Sequence, residues 1–151
     1  MKKLVILAAL SAAVGVLVAP GTANATTPQA SALSYARAQL GDPYRLGGTG
    51  PRYWDCSGLT QKSYAHAGKK LPRTAQQQYN ATRHVALSSA RPGDLLFWGR
   101  DSKHITHVGV YTGHGYTVNA NTGAYRGRKV VNAPTREYRL YGNREYAGQV
   151  K

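Results

Sequence analysis

Chemistry in this chain can start from one thiol and five imidazoles. Cys56 is the single cysteine among 151 residues, so an internal disulfide is impossible. A lone thiol is a buried filler, a link between chains or a working group. Its neighbours favour the third. Asp55-Cys56-Ser57-Gly58 opens a run of helix-favouring residues that extends to Ala67, with Asp55 at the N-cap and Gly68 as the C-terminal cap. At a helix start the unpaired amides and the dipole stabilise an anion, so a thiolate is favoured and its pKa should fall. The same amides can hold a developing oxyanion. Ser57 and Gly58 keep the first turn small, which leaves room for a substrate.

A thiolate nucleophile needs an imidazole partner, and the imidazole needs an orienting group. His66 falls near the end of the Cys56 helix, where a surface or capping role is expected, and His84 and His114 sit in loop-like contexts. His107 opens the run His107-Val108-Gly109-Val110-Tyr111, at the mouth of a buried strand with Gly109 leaving space beside it. It is a candidate base, although a structural or solvent-facing histidine would read the same way. Asn119 follows on the next strand-like run, where a hairpin would let its amide accept from the imidazole and fix the tautomer. An ordinary strand-end asparagine fits that spacing too. His104-x-x-His107 is half of a zinc site with no second Cys/His pair to complete it, so no metal is expected. Asn80-Ala81-Thr82 matches a glycosylation sequon, a pattern of low specificity.

These residues need elements to hold them. Ala30 to Leu40 reads as a helix ended by Gly41-Asp42-Pro43, and Pro43 to Trp54 is a glycine-rich loop. Thr74 and Gln77 have capping-box spacing and open a short helix through Ala81. After the turn Arg91-Pro92-Gly93-Asp94 the texture becomes β: Leu95 to Trp98, Val108 to Thr112, Tyr116 to Ala120, Arg128 to Val131 and Glu137 to Tyr141, with Gly113-His114-Gly115 as a hairpin connection. Helices first and strands after predict an α+β fold, N-terminal helices packed on a mostly antiparallel sheet.

The N-terminus carries a short positive start (Lys2, Lys3), an uncharged apolar run from Leu4 to Val18, and Ala23-Asn24-Ala25 as a cleavage pattern. Residues 1–25 therefore read as a secretory signal peptide and 26–151 as one catalytic-size domain, secreted, without a membrane anchor. The part from Thr26 onward holds 18 basic and 6 acidic residues, a formal charge of +12. Such a charge suits anionic wall polymers. Nucleic acid is not expected as a partner, because the arginines are scattered singly and no recognition motif occurs. A monomer is expected.

Five motifs in order are similar to those of the NlpC/P60 family of bacterial cell-wall cysteine peptidases. They are Pro43-Tyr44-x-x-Gly47-Gly48, Asp55-Cys56-Ser57-Gly58-Leu59, Leu71-Pro72-Arg73-Thr74 with Gln76 to Gln78, Arg91 to Phe97, and His107-Val108-Gly109-Val110-Tyr111-x-Gly113. The resemblance spans about Ala30 to Tyr146. It implies a papain-like fold, Cys56 as nucleophile, His107 as base, and Tyr44 joining the Cys56 amide in an oxyanion hole. The third polar residue, a histidine or glutamate in many relatives, corresponds to Asn119 here. The resemblance also implies substrate contacts from Asp55 and Ser57, with Arg73 a candidate for a substrate carboxylate. No cofactor is implied. The implied reaction is hydrolysis of an amide in the peptidoglycan stem peptide, after the γ-D-glutamyl residue. An N-acetylmuramoyl-L-alanine amidase, a transglutaminase-like acyl transferase, or a cationic wall-binding or antimicrobial protein without catalysis are the competing readings.

Overall fold

The structure, a computed structural model, describes residues 25–121 and 127–151. The expected leader lies outside the described residues, except for Ala25. Three helices come first: α1 (Pro28–Ala38), α2 (Cys56–His66) and α3 (Ala75–Ala81). Strands β1 (Arg83–Val85), β2 (Leu95–Gly99), β3 (Ile105–Gly113), β4 (Tyr116–Asn121), β5 (Lys129–Pro134) and β6 (Arg144–Gln149) follow, with a one-turn helix α4 (Arg136–Arg139) before the last. All pairings are antiparallel, in the order β1-β6-β2-β3-β4-β5. The α+β class expected from the sequence is the class observed.

Local chemistry accounts for the helix starts. Thr27 Oγ1 accepts from the Ala30 amide and Pro28, which has no amide to leave unpaired, begins α1. Asp55 caps α2 through the Gly58 amide at 2.7 Å. Thr74 and Gln77 form a reciprocal capping box on α3. Gly68, at φ +77°, ends α2 in the left-handed conformation that its missing Cβ permits.

The central strand β2 is buried along its whole length. Leu95 and Phe97 face the main core with Ala32, Leu33, Leu59, Tyr64, Val108 and Val118. Leu96 and Trp98 face the other side, where Tyr111 and Tyr138 pack with Ala147. The sheet is therefore covered by α1 to α3 on one face and locally by α4 on the other, and the second layer matters for the site.

The expectations for the C-terminal strands need correction. Glu137 to Tyr141 is not a strand: Arg136–Arg139 is a helical turn, and Leu140 and Tyr141 are 71% and 63% exposed. A strand there would have no second face to bury. The strand that pairs with β2 on the side away from β3 is β6, hidden in the sequence by its charges and its glycine. Glu145 lies opposite Trp98 and is partnered by Arg139 at 3.2 Å. Gly148 lies opposite Leu95, and a Cβ there would sit 2.3 Å from Thr82 Oγ1, so a side chain has no room. His84 likewise belongs to strand β1 rather than to a loop, and its ring stacks on Tyr79.

Candidate active site

Cys56 is the first residue of α2, and the loop before it is folded back onto that first turn. The Asp55 amide donates to Gly48 O at 2.9 Å, and the Gly47 amide donates to Asp55 Oδ2 at 2.9 Å. Gly58 makes this closeness possible: a Cβ there would lie 2.1 Å from Gly48 O. Arg73 closes the arrangement from the segment before α3. Its Nη1 donates to Asp55 Oδ1 (3.0 Å) and Ser57 Oγ (2.8 Å), and its Nη2 to Asp55 Oδ2 (2.5 Å). Burial pushes the Asp55 carboxyl up, but the bonds from Arg73, Gly58 and Gly47 outweigh it and hold the pKa below the usual carboxylate range. Asp55 is thus a fixed anion whose oxygens are already engaged, and Ser57 Oγ is held between it and Arg73.

The thiol differs from the sequence expectation. Burial raises the Cys56 pKa above the ordinary value, and the Asp55 charge raises it further; the amides of Val108, Ser57 and Cys56 itself act in the opposite direction and do not prevail. A helix start alone does not make this thiol acidic, because desolvation penalises the anion by more than the first-turn amides return. Tyr44 lines the same groove. Burial, followed by Cys56 and Asp55, raises its phenol pKa against a lowering from Arg128, so the phenol keeps its proton and remains a donor.

On the sheet side, His107 in β3 and Asn119 in β4 meet. Asn119 Oδ1 lies 3.2 Å from His107 Nε2. The hairpin joining the strands positions them, and Gly109 lets them close up, since a Cβ on it would be 3.0 Å from Asn119 Cβ. Asn119 is fully buried, and its Nδ2 donates to Thr117 O (3.3 Å) and Thr117 Oγ1 (3.2 Å). A carbonyl oxygen only accepts, so the atom facing it is the amide nitrogen, and Oδ1 is the atom facing the imidazole. Nε2 therefore carries the proton, and Nδ1 is the basic nitrogen. Burial lowers the His107 pKa to about 4 despite the opposing bond from Asn119, so the ring is neutral near pH 7. Among the described residues, no hydrogen bond joins the thiol to the imidazole. With the Cys56 pKa raised and the His107 pKa lowered, the thiol and the imidazole are both neutral near pH 7 rather than a preformed ion pair.

Two aromatic residues enclose this imidazole, and neither was singled out in the sequence. Trp98 lies directly across the β2–β3 pair, with ring centroids 5.5 Å apart. Tyr138 of α4 stacks on the ring at 4.6 Å and 23°. Trp98 could have been found from its position opposite the strand start. Tyr138 could not, because its run, Glu137 to Tyr141, has the texture of a strand.

The groove in front of Cys56 has a volume of about 500 Å³ and is lined by Tyr44, Leu46, Asp55, Ser57, Arg73 and Gln76 among others. Gln76, which the sequence offers only as part of a motif, is also a groove residue. It ties α3 to the approach of β3 by accepting from the Ile105 amide at 2.8 Å and donating to Ser102 O at 3.0 Å. His104 is engaged with Asp101 at 2.7 Å, and no cluster able to hold a metal occurs among the described residues.

A family model described as the NlpC/P60 family matches residues 41–145. CwlT of Bacillus subtilis, named a bifunctional muramidase/DL-endopeptidase, is 50% identical over 84 residues, covering 54% of this chain and 26% of that protein. This chain thus spans about a quarter of that relative's length. The crystal structure of a P60 domain from an antigen of M. avium subspecies paratuberculosis superposes with a TM-score of 0.66 at 30% identity, covering 82% of this chain and 94% of that one. RipD of Mycobacterium tuberculosis, described as a non-catalytic NlpC/p60 domain protein adapted to peptidoglycan binding, gives a TM-score of 0.65 at 29% identity, covering 83% and 98%. With the family model covering most of the chain and the sheet, helices and cysteine-bearing groove arranged as above, the chain belongs to the NlpC/P60 family.

Proposed function

We propose that this protein is a secreted cysteine peptidase that hydrolyses an amide in the peptidoglycan stem peptide, after the γ-D-glutamyl residue. One observation carries the reading: a cysteine at a helix start lines a groove, and His107, next in the chain to the Val108 amide that reaches this thiol, has its Nε2 held by Asn119 so that Nδ1 is the basic nitrogen. The endopeptidase names of relatives such as CwlT support the reaction class.

In this mechanism the resting pair is neutral. Substrate fills the groove and excludes water, and His107 Nδ1 takes the Cys56 proton as the sulfur attacks the amide carbonyl. The developing oxyanion receives the Cys56 backbone amide and the Tyr44 hydroxyl. The imidazolium, steadied through Nε2–H by Asn119 Oδ1, passes its proton to the departing amine as the C–N bond breaks and a thioester remains. Water deprotonated by His107 then attacks the thioester, and the sulfur leaves and recovers the proton. Ser57 and Arg73 border the groove and are assigned to polar groups of the substrate, with Asp55 holding Arg73 in place. Arg73 keeps 37% of its side chain exposed, enough to meet a carboxylate. The reading includes cleavage of residues 1–25 during export. It also includes a salt-sensitive attraction of the +12 charged remainder to anionic wall polymers, and wall binding indifferent to ionic strength would contradict that part.

Mass spectrometry of muropeptides after digestion tests the bond. Cleavage after γ-D-glutamate leaves a dipeptide on the muramic acid. Peptide-free sugar would make the protein an amidase, new cross-links an acyl transferase, and an unchanged muropeptide profile a binder.

A further inference from the structure

Tyr138 lies outside the residues so far given roles, yet it touches two of them. Its ring stacks on His107 at 4.6 Å and packs against Trp98 at 4.7 Å. Its hydroxyl donates to Asn119 Oδ1 at 2.6 Å, the same oxygen that faces His107 Nε2. Asn121 Nδ2 donates to the Tyr138 hydroxyl oxygen at 3.3 Å, so the phenolic proton is directed toward Asn119. The turn carrying Tyr138 is anchored at both ends: its amide donates to Thr135 O (3.2 Å), and its carbonyl accepts from Asn143 Nδ2 (3.1 Å).

The polarity of this chain of bonds is determined. An amide oxygen has two lone pairs, and Oδ1 gives one to Tyr138 and one to the imidazole N–H. Turning the Asn119 amide over would set its NH2 against the Tyr138 hydroxyl proton and its oxygen against the Thr117 carbonyl, two mismatches in a buried position. We propose that Tyr138 is a positioning residue for His107: its hydroxyl keeps Asn119 Oδ1 toward Nε2, and so keeps the lone pair on Nδ1, while its ring holds the imidazole plane. Its effect on rate rests on the peptidase reading; its effect on the imidazole does not.

The test uses Tyr138→Phe, which removes the hydroxyl and keeps the stack, and Tyr138→Leu, which removes both. ¹⁵N spectra of His107, recorded in the Cys56→Ala background so that turnover plays no part, should show the Nε2–H tautomer with native Tyr138 and a growing Nδ1–H fraction with Phe. With Cys56 present and a soluble muropeptide as substrate, Tyr138→Phe should lower kcat about fivefold, the worth of one neutral hydrogen bond. KM should stay within about twofold, as expected when ground-state binding is untouched. Tyr138→Leu should lose more than the Phe variant and broaden the His107 resonances. Unchanged ¹⁵N spectrum and unchanged kcat in Tyr138→Phe would overturn the proposal, whether or not the Leu variant folds. Failure of the peptidase reading would instead appear as hydrolysis retained by Cys56→Ala, a result separable from the ¹⁵N measurement.

Discussion

Arg73 grips both carboxylate oxygens of Asp55, at 3.0 and 2.5 Å, and Asp55 in turn caps the helix that begins with Cys56. The helix start that carries Cys56 is therefore tied to a residue seventeen positions further along the chain. Arg73→Ala would leave a nearly buried carboxylate without its cation. Because the arginine is partly exposed and screened, a loss of about 1–2 kcal/mol is expected. Thermal denaturation would measure it, with Arg73→Lys falling between the two because it keeps the charge and loses the fork. A melting temperature unchanged by the alanine would mean that the pair contributes nothing to the fold.

Gly58 tests how tightly the loop is clamped to α2. Gly58→Ala sets a Cβ 2.1 Å from Gly48 O, against backbone that cannot yield without moving Asp55. We expect a destabilisation of about 1–3 kcal/mol, typical of overpacking, together with loss of hydrolysis. Gly68→Ala is the control: it meets nothing within 4 Å and carries only the cost of a positive φ, about 1 kcal/mol, with activity kept. Equal effects of the two substitutions would show that the Gly48–Gly58 contact has no special role.

The Cys56 thiol should behave as a buried one. Burial and Asp55 raise its pKa, so iodoacetamide alkylation should be slow near pH 7 and should accelerate only above the ordinary thiol range of about 8.5. Rapid alkylation at mildly acidic pH would point to a standing thiolate–imidazolium pair, contrary to the neutral pair described above.

His107 links stability to pH with a definite sign. Its pKa in the folded protein, about 4, lies below the ordinary 6.5, so below pH 6.5 the unfolded chain binds a proton that the folded protein refuses. Its contribution is complete above pH 6.5 and is lost as pH falls through the interval to about 4, on the order of 3 kcal/mol at full development. Carboxylates also lose stability in acid, so the informative quantity is a difference. Urea midpoints should drop less between neutral and mildly acidic pH in His107→Gln than in the native protein. An identical drop would remove His107 from the account.

Much of this architecture is legible in the sequence because it rests on local chemistry. Asp55, Thr74 with Gln77, and Gly68 mark helix ends through short-range bonds, and the Gly113-His114-Gly115 hairpin brings His107 and Asn119 together. What was not legible depends on distant partners. The acidity expected of Cys56 follows from the helix start alone, whereas the raised value follows from burial that only the assembled groove creates. β6 is concealed because Glu145 and Gly148 weaken its pattern, and Arg139 and Thr82, from other segments, explain them. Tyr138 looked like one of several aromatics in a strand-like run. Its role arises only when a one-turn helix lays it over His107.

The central claim is that Cys56 is the nucleophile of a peptidoglycan hydrolase. Its most direct measurement is the release of muropeptide fragments from purified peptidoglycan by the native protein and by Cys56→Ala, with circular dichroism to establish that both are folded. The native protein should release fragments and the variant none above background, at unchanged wall binding. Fragments released by folded Cys56→Ala would contradict the claim.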